Sequence, residues 1–321
     1  MKVSIITPNF NGLKFLKRYF ESLKLEKDII EEIIIVDNGS NDGSIDFIKE
    51  IANLNDFKVK LIENESNLGF AKAVNQGILE AKSEFIYLLN NDIEIEKRAI
   101  YNLIEFIKDK EDVFSLSSKM IRYNNRDLID DAGDEYNLLG WTSKTGLNKN
   151  ISKFESNREI FSSCAGAALY KKSLLIKLGL FDEEFFAYLE DMDLGLRSQI
   201  AGYKNYYIAN SIVYHIGSGT SGSQYNEFKV KISARNNVWL VYKNLPIPQK
   251  IINILFLFLG FLIKYLFFIK KGYGKLYLSG LKEGLKNRNK IKKTEFKSKN
   301  IKNYFKIEWK LIVNTFKLLK R

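Results

Sequence analysis

The sequence is short of the side chains that most often build rigid chemical sites. It has one cysteine, Cys164, which excludes a disulfide framework and a cysteine-built zinc site and fits a reducing compartment. It has one histidine, His215, which excludes any site that needs two. No G-x-G-x-x-G follows the first apolar run and no G-x-x-x-x-G-K-[ST] occurs, so neither a dinucleotide fold nor a P-loop enzyme is expected. The opening MKVSIITPNF lacks an apolar run ending in a cleavage site, so the globular part is expected to be cytoplasmic. Acid is scarce at the far end: residues 201–321 hold 4 Asp+Glu against 24 Lys+Arg.

What is present is a chain of 321 residues, 45% hydrophobic and 27% charged, enough for a sizeable core and unlike a disordered segment. Its net charge of +12 suggests a phosphate-rich partner until it is divided along the chain. Residues 1–200 carry −8 and residues 201–321 carry +20. The excess base is therefore a property of the last third, beside the apolar stretch Ile251–Ile269 with its single charge, Lys264. That stretch is open to three readings: a helix on a membrane surface with Lys264 snorkelling, a span of barely sufficient length, or a core helix. The lysine-rich residues 270–321 either meet lipid phosphates or form a solvated helical tail. The balance reads as a membrane address, with no nucleic acid as partner.

Four apolar runs, Val3–Thr7, Ile33–Asp37, Val59–Glu63 and Phe85–Leu89, predict buried parallel strands. Helical periodicity separates them over Leu13–Leu25, Ser44–Leu54 and Phe70–Ala81, followed by a helix near Lys97–Lys108. The pattern is a doubly wound α/β half, whose ligands bind beyond the carboxyl ends of the strands. Further strands are expected at Val113–Met120 and Tyr206–His215, with helices from Ser173 to Leu178 and up to Ala201. Arg122–Ser163 reads as irregular, and Gly217–Gly222 as a flexible loop.

Polar clusters stand at the strand ends. Asp37, before Asn38-Gly39, either accepts from a base or ribose or ties its own turn. Asp92, in Asn90-Asn91-Asp92, either holds a divalent cation or caps a helix. Glu190, Asp191 and Asp193 either suit a helix N-terminus or, beside Phe185, Phe186 and Tyr188, include a base of raised pKa. His215, at a strand end, is open between a ligand and a structural role.

In this order the clusters resemble the family 2 glycosyltransferases of GT-A fold, over about residues 1–240. The resemblance rests on Ile5–Gly12, Val36–Ser40, Asn67–Gly77, Leu88–Asp92 and Glu190–Asp193, and within the family is nearest to rhamnosyltransferase-type enzymes of cell-surface glycans. It implies a Rossmann-like mixed sheet sandwiched by helices: a nucleotide-binding half (1–110), an acceptor and catalytic half (111–240) and a basic, membrane-associating helical segment (241–321). It further implies that Thr7, Pro8, Asn9, Asp37, Asn67, Gly69, Lys72 and Asn91 line the nucleotide pocket. Asp92, and His215 as recruited in some relatives, would hold Mg2+ or Mn2+, although Asn90 replaces the first Asp of the usual Asp-x-Asp. Asp191 would be the catalytic base, and Gly166, Ala167, Glu190 and Trp141 would face donor sugar and acceptor. The activity implied is inverting transfer from a nucleotide-sugar, dTDP-rhamnose or a UDP-hexose, to a glycan or lipid-linked glycan. It would take place at the cytoplasmic face of the membrane. A nucleotidyltransferase, or a non-enzymatic protein that binds anionic lipid or nucleic acid, is the alternative.

Overall fold

The structure is a computed structural model that describes residues 1–217 and 225–320. The glycine-rich loop expected after His215 falls mostly on residues 218–224, outside the described residues.

The chain opens with β1 (Val3–Asn9), α1 (Leu13–Leu23), β2 (Ile30–Asp37), α2 (Ser44–Asn53), β3 (Val59–Glu63), α3 (Phe70–Glu80) and β4 (Phe85–Leu89). The four strands and three helices lie where the apolar runs predicted. After β5 (Ile93–Ile95) and α4 (Ala99–Ile107) come β6 (Val113–Arg122), β7 (Asn125–Asp131), β8 (Asp134–Tyr136), β9 (Thr142–Lys144) and β10 (Arg158–Ile160). Then follow β11 (Ala167–Lys171), α5 (Lys172–Leu178), α6 (Glu190–Ile200) and β12 (Lys204–His215). Residues 122–163, expected to be irregular, therefore hold four short strands. The sequence hides them because β7 is an edge strand rich in charge and β8 and β9 are only three residues each.

Among the described residues ten strands form one mixed sheet, with β8 and β9 a separate hairpin. The order β3-β2-β1-β4 is parallel, and β11 enters antiparallel between β4 and β6. Successive side chains of a strand point to opposite faces. Ile5, Ile33, Ile35 and Tyr87 accordingly pack with Leu16 and Phe20 of α1, while Ile6, Ile34, Val36 and Leu88 pack with Val74 and Ile78 of α3. Both faces are covered, as a GT-A-like sheet sandwiched by helices requires. The two expected halves share this sheet, because β4 of the first pairs with β11 of the second.

The C-terminal part consists of α7 (Glu227–Asn244), α8 (Ile247–Ile252), α9 (Ile254–Lys270), α10 (Gly274–Lys286) and α11 (Ile301–Leu319). The boundary expected at residue 240 falls inside α7, and the segment beyond it is not a detached tail. Tyr304, Ile307 and Leu311 of α11 share a buried cluster with Leu196 and Ile200 of α6. A Cβ on Gly280 would sit 2.3 Å from the Lys231 carbonyl oxygen, so α10 approaches α7 backbone to backbone.

The apolar stretch 251–269 is broken at Asn253, whose amide donates to Glu308 of α11 at 3.0 Å. No helix among the described residues is long and apolar enough to cross a membrane. Lys264 does not snorkel along the stretch: its ammonium lies over the Trp141 ring, 5.6 Å from the centroid, and burial pushes its pKa down to about 8. Much of the stretch is nonetheless uncovered, with Leu255 77% and Phe258 67% exposed.

Candidate functional site

The carboxyl ends of β1, β2 and β4 lie side by side because the strands are parallel and in register, with Asn9 opposite Asp37. Asp37 is fully buried. Its carboxylate accepts from the Asn9 amide at 2.7 Å and from the Ser40 backbone N–H and hydroxyl at 2.7 and 2.8 Å. Asn9 accepts in turn from the Asn91 amide at 2.5 Å, which ties β1 to the loop after β4. Thr7 is buried against the Tyr19 hydroxyl, and Pro8 is half-buried beside it. Asn91, Asn9 and Asp37 thus form a chain of hydrogen bonds that shapes the floor of this edge.

Asn67 and Gly69 begin α3 on the same edge. Asn67 accepts from the Gly69 N–H at 2.9 Å, and the Asn38 amide reaches the Gly69 carbonyl at 3.2 Å. Gly69 has φ +88°, and a Cβ there would lie 2.6 Å from the Phe186 carbonyl oxygen, so no larger residue fits. Lys72, one turn on, is exposed and has no carboxylate partner among the described residues.

The second group stands across the edge. Asp92 Oδ2 is 3.4 Å from His215 Nε2, and His215 Nδ1 is 2.9 Å from Asp130 Oδ2. Burial opposes charge on the imidazole. The hydrogen bonds to Asp130 and Asp92 outweigh it and push the pKa up to about 9. Two residues before Asp92, Asn90 Oδ1 is buried with no hydrogen-bond partner among the described residues. Two hard oxygens and an imidazole nitrogen on one loop and one strand end form a donor set suited to Mg2+ or Mn2+, and the orphaned amide oxygen fits that use.

Segment 164–167 bridges this group to Asp191. The Gly166 carbonyl accepts from Asn90 N–H at 2.9 Å, and the Ala165 N–H points at Asp191 Oδ2 at 3.4 Å. Ala167 is buried as the first residue of β11. Burial raises the Asp191 pKa, opposed by the Met192 N–H at 2.7 Å and the Ala165 N–H. Glu190 is buried with its Oε2 lacking a hydrogen-bond partner among the described residues, and burial and then Asp191 hold its pKa well above the usual carboxylate range.

Backbone strain positions Asp191. Phe186, Tyr188 and Leu189 have φ of 64°, 67° and 71°, uncommon for side chains of this size. The Asn236 amide of α7 holds that turn by donating to the carbonyls of Phe185, Ala187 and Tyr188 at 2.9, 2.9 and 2.7 Å.

Asp193 has a different task. It is fully buried and accepts from Arg197 at 2.8 Å, Lys243 at 2.8 Å and Asn244 at 2.7 Å. Burial opposes its ionisation, but Arg197 and Lys243 prevail and hold its pKa below the ordinary range. The stability it supplies is therefore complete above its unfolded pKa, about 3.9, and is lost as pH falls through the lower folded value. Asp193→Asn is expected to destabilise by about 3 kcal/mol at pH 7, because it leaves buried cations underpaired. Urea unfolding of both proteins from pH 7 to pH 3 tests this. The gap should narrow below about pH 4, and a gap of undiminished size at pH 3 would remove charge as its cause.

The sequence reading missed Asp130, Asp131 and Asp134, which carry three carboxylates in five residues, a signal equal to that of Glu190–Asp193. Asp131 is fully buried, its Oδ2 without a hydrogen-bond partner among the described residues, and burial pushes its pKa up to about 6. Lys144 meets Asp130 at 2.9 Å and Asp131 at 4.0 Å. One carboxylate oxygen each from Asp131 and Asp134 converges with Cys164 Sγ within 4.8 Å. Trp141 lies apart: its indole N–H donates to the Gly260 carbonyl at 3.0 Å, so its described contacts join the sheet unit to α9.

Among sequence families, the one described as glycosyl transferase family 2 matches residues 4–179. The poly-beta-1,6-N-acetyl-D-glucosamine synthase of Staphylococcus aureus (strain COL) is 26% identical over 184 residues, 57% of this chain. The match spans 41% of that protein's length, so the chain corresponds to about two fifths of it. Among solved structures, a Staphylococcus aureus TarS fragment in complex with UDP-GlcNAc superposes with TM-score 0.61 at 18% identity, covering 96% of this chain and 90% of that one. GalNAc-T7 with UDP, GalNAc and Mn2+ gives TM-score 0.62 at 18% identity, over 75% of this chain and 47% of that one. These likenesses show the same fold.

Proposed function

Because the chain belongs to glycosyl transferase family 2, we propose that it transfers a sugar from a nucleotide-sugar to a hydroxyl of a growing cell-surface glycan, with inversion at the anomeric carbon. The observation that carries this reading is the placement of Asp191. It is a base of raised pKa one short bridge, Ala165–Gly166, away from the Asn90–Asp92 loop. The solved neighbours that contain UDP-GlcNAc, or UDP with Mn2+, support a nucleotide-sugar donor and a divalent ion.

In this reading the nucleotide lies along Thr7–Asn9, Asn67–Gly69 and Lys72, over the floor that Asp37 and Asn91 brace. Lys72 supplies a cation free to meet a phosphate. Asp92 and His215, with Asn90 two residues before Asp92, would hold Mg2+ or Mn2+, which when bound offsets the charge of the departing diphosphate. Asp191 takes the proton of the acceptor hydroxyl. The oxygen then attacks the anomeric carbon as the bond to the diphosphate breaks, and the nucleoside diphosphate leaves. Burial, and then the neighbouring Asp191 charge, raise the Glu190 pKa well above the usual carboxylate range, which favours Asp191 as the residue of the pair that accepts the proton.

Donors consistent with the reading are dTDP-rhamnose and the UDP-hexoses. A panel of dTDP-, UDP- and GDP-sugars tests it by release of nucleoside diphosphate with added Mg2+ or Mn2+. One donor is expected to stand out, and no release from any would count against the assignment. The uncovered apolar side of α8 and α9 and the basic C-terminal third support a place at the cytoplasmic face of an anionic membrane, where a lipid-linked acceptor would be found.

A further inference from the structure

A cavity of about 480 Å³ lies between α7, α9 and α10, far along the chain from the site described above and sharing none of its residues. Its walls are Val238 and Val241 of α7, Phe258 and Leu262 of α9, and Leu281 and Leu285 of α10. That volume lies within the range of small-molecule sites, roughly 300–1,000 Å³. Apart from the hydroxyls of Tyr242 and Tyr265, the polar side chains in its lining are two cations, Lys250 and Arg288.

Lys250 and Arg288 line the cavity, and Lys293 stands next to Lys250. The ammonium groups of Lys250 and Lys293 both lie over the Tyr242 ring, 5.1 and 4.5 Å from its centroid. Lys250 also donates to the Tyr242 carbonyl at 2.8 Å, and Arg288 to the Leu285 carbonyl at 3.0 Å. Among the described residues no carboxylate pairs with any of the three. The nearby acids are engaged elsewhere: Glu283 with Lys231 and Arg235, Glu295 with Lys297, and Glu308 with Gln249 and Asn253. Burial, and then the neighbouring Lys293 charge, lower the Lys250 pKa.

The cavity also borders an uncovered apolar face: Phe258, one of its walls, is 67% exposed and lies on the same helix as the exposed Leu255 and Leu259.

We propose that this cavity takes one hydrocarbon chain of an anionic membrane phospholipid, whose phosphate is held by Lys250, Lys293 and Arg288. The proposal rests on the membrane reading above and narrows it to one site. An apolar slot alone would take any greasy molecule, and a basic tail alone any anion. The combination of both at one mouth fits a phosphate joined to an alkyl chain.

Native mass spectrometry of the full chain with phosphatidylglycerol, phosphatidylcholine or inorganic phosphate tests it, together with co-sedimentation on vesicles of each lipid. The protein is expected to retain one phosphatidylglycerol, phosphatidylcholine less well, and phosphate alone weakly. Leu281→Trp, which fills the cavity, and the pair Lys250→Glu/Lys293→Glu, which leaves the core untouched, should each weaken that retention roughly tenfold or more. The pair Lys299→Glu/Lys302→Glu changes the net charge equally and should leave it unchanged. Full retention in both cavity variants, equal loss in the control pair, or equally tight binding of free phosphate or of phosphatidylcholine would each overturn the proposal. If vesicle binding persists in the cavity variants, the general membrane reading survives. If the unaltered protein binds no anionic vesicle, that reading fails as well.

Discussion

Asp191→Asn is expected to cut turnover by about 10²–10⁴-fold while leaving donor affinity nearly unchanged. The asymmetry follows from where the side chain stands. Asp191 meets the Ala165 and Met192 amides and no residue of the nucleotide floor, so an isosteric amide keeps the packing and loses the basic oxygen. Donor titration beside steady-state rates separates the two quantities. A variant that turns over normally would end the assignment of Asp191 as base. The unaltered enzyme adds a second signature. Because burial raises the Asp191 pKa, the rate should fall on acidification at a pH above the ordinary aspartate range, since only the deprotonated carboxylate accepts the proton.

Asp92→Ala is expected to weaken donor binding by roughly a hundredfold in the presence of Mg2+ or Mn2+, at least as much as loss of a group that merely supports a metal ligand. It removes the one carboxylate of the Asn90–Asp92 loop and leaves His215 paired with Asp130 alone. The comparison that decides the role is chelation. EDTA should lower the donor affinity of the unaltered protein to near that of the variant and change the variant little. Donor affinity insensitive to both EDTA and the substitution would rule out Asp92 as a metal ligand. Asp92→Asn, which keeps the shape beside His215, guards against a purely structural loss.

These two residues were legible in the sequence for different reasons. Asp92 ends a run of five buried apolar residues, and the polar ends of parallel strands converge by topology alone. Asp191 was visible as part of a carboxylate cluster, but the cluster did not say which member does what. Packing divides it. Asp193 points into the Arg197–Lys243–Asn244 network, Glu190 is buried with its Oε2 lacking a hydrogen-bond partner among the described residues, and Asp191 faces the Ala165 amide. Asp130 and Asp131 went unread because β7 is a charged edge, and Asp134 because it opens a strand of only three residues, β8. For Trp141, expected near the sugar, the structure adds a contact the sequence did not show: its indole N–H donates to the carbonyl of Gly260 on α9, 119 residues away.

The C-terminal third shows the same division. Its charge and its apolar stretch were plain from composition, and they pointed to a membrane surface. Composition did not show that Asn253 breaks the stretch, that α11 closes the core of α6, or that three cations gather around one apolar cavity. By itself the sequence determined the family, the alternation of strands and helices, and the edge where polar ends meet. Those follow from periodicity and from the few ways a parallel sheet can be covered. The tertiary structure decided which carboxylates have their pKa raised, which have it lowered, and which cations lack a carboxylate partner among the described residues. Those properties depend on neighbours often 50 or more residues apart, such as Asp193 with Lys243 and Tyr242 with Lys293, and on the water that packing excludes around them.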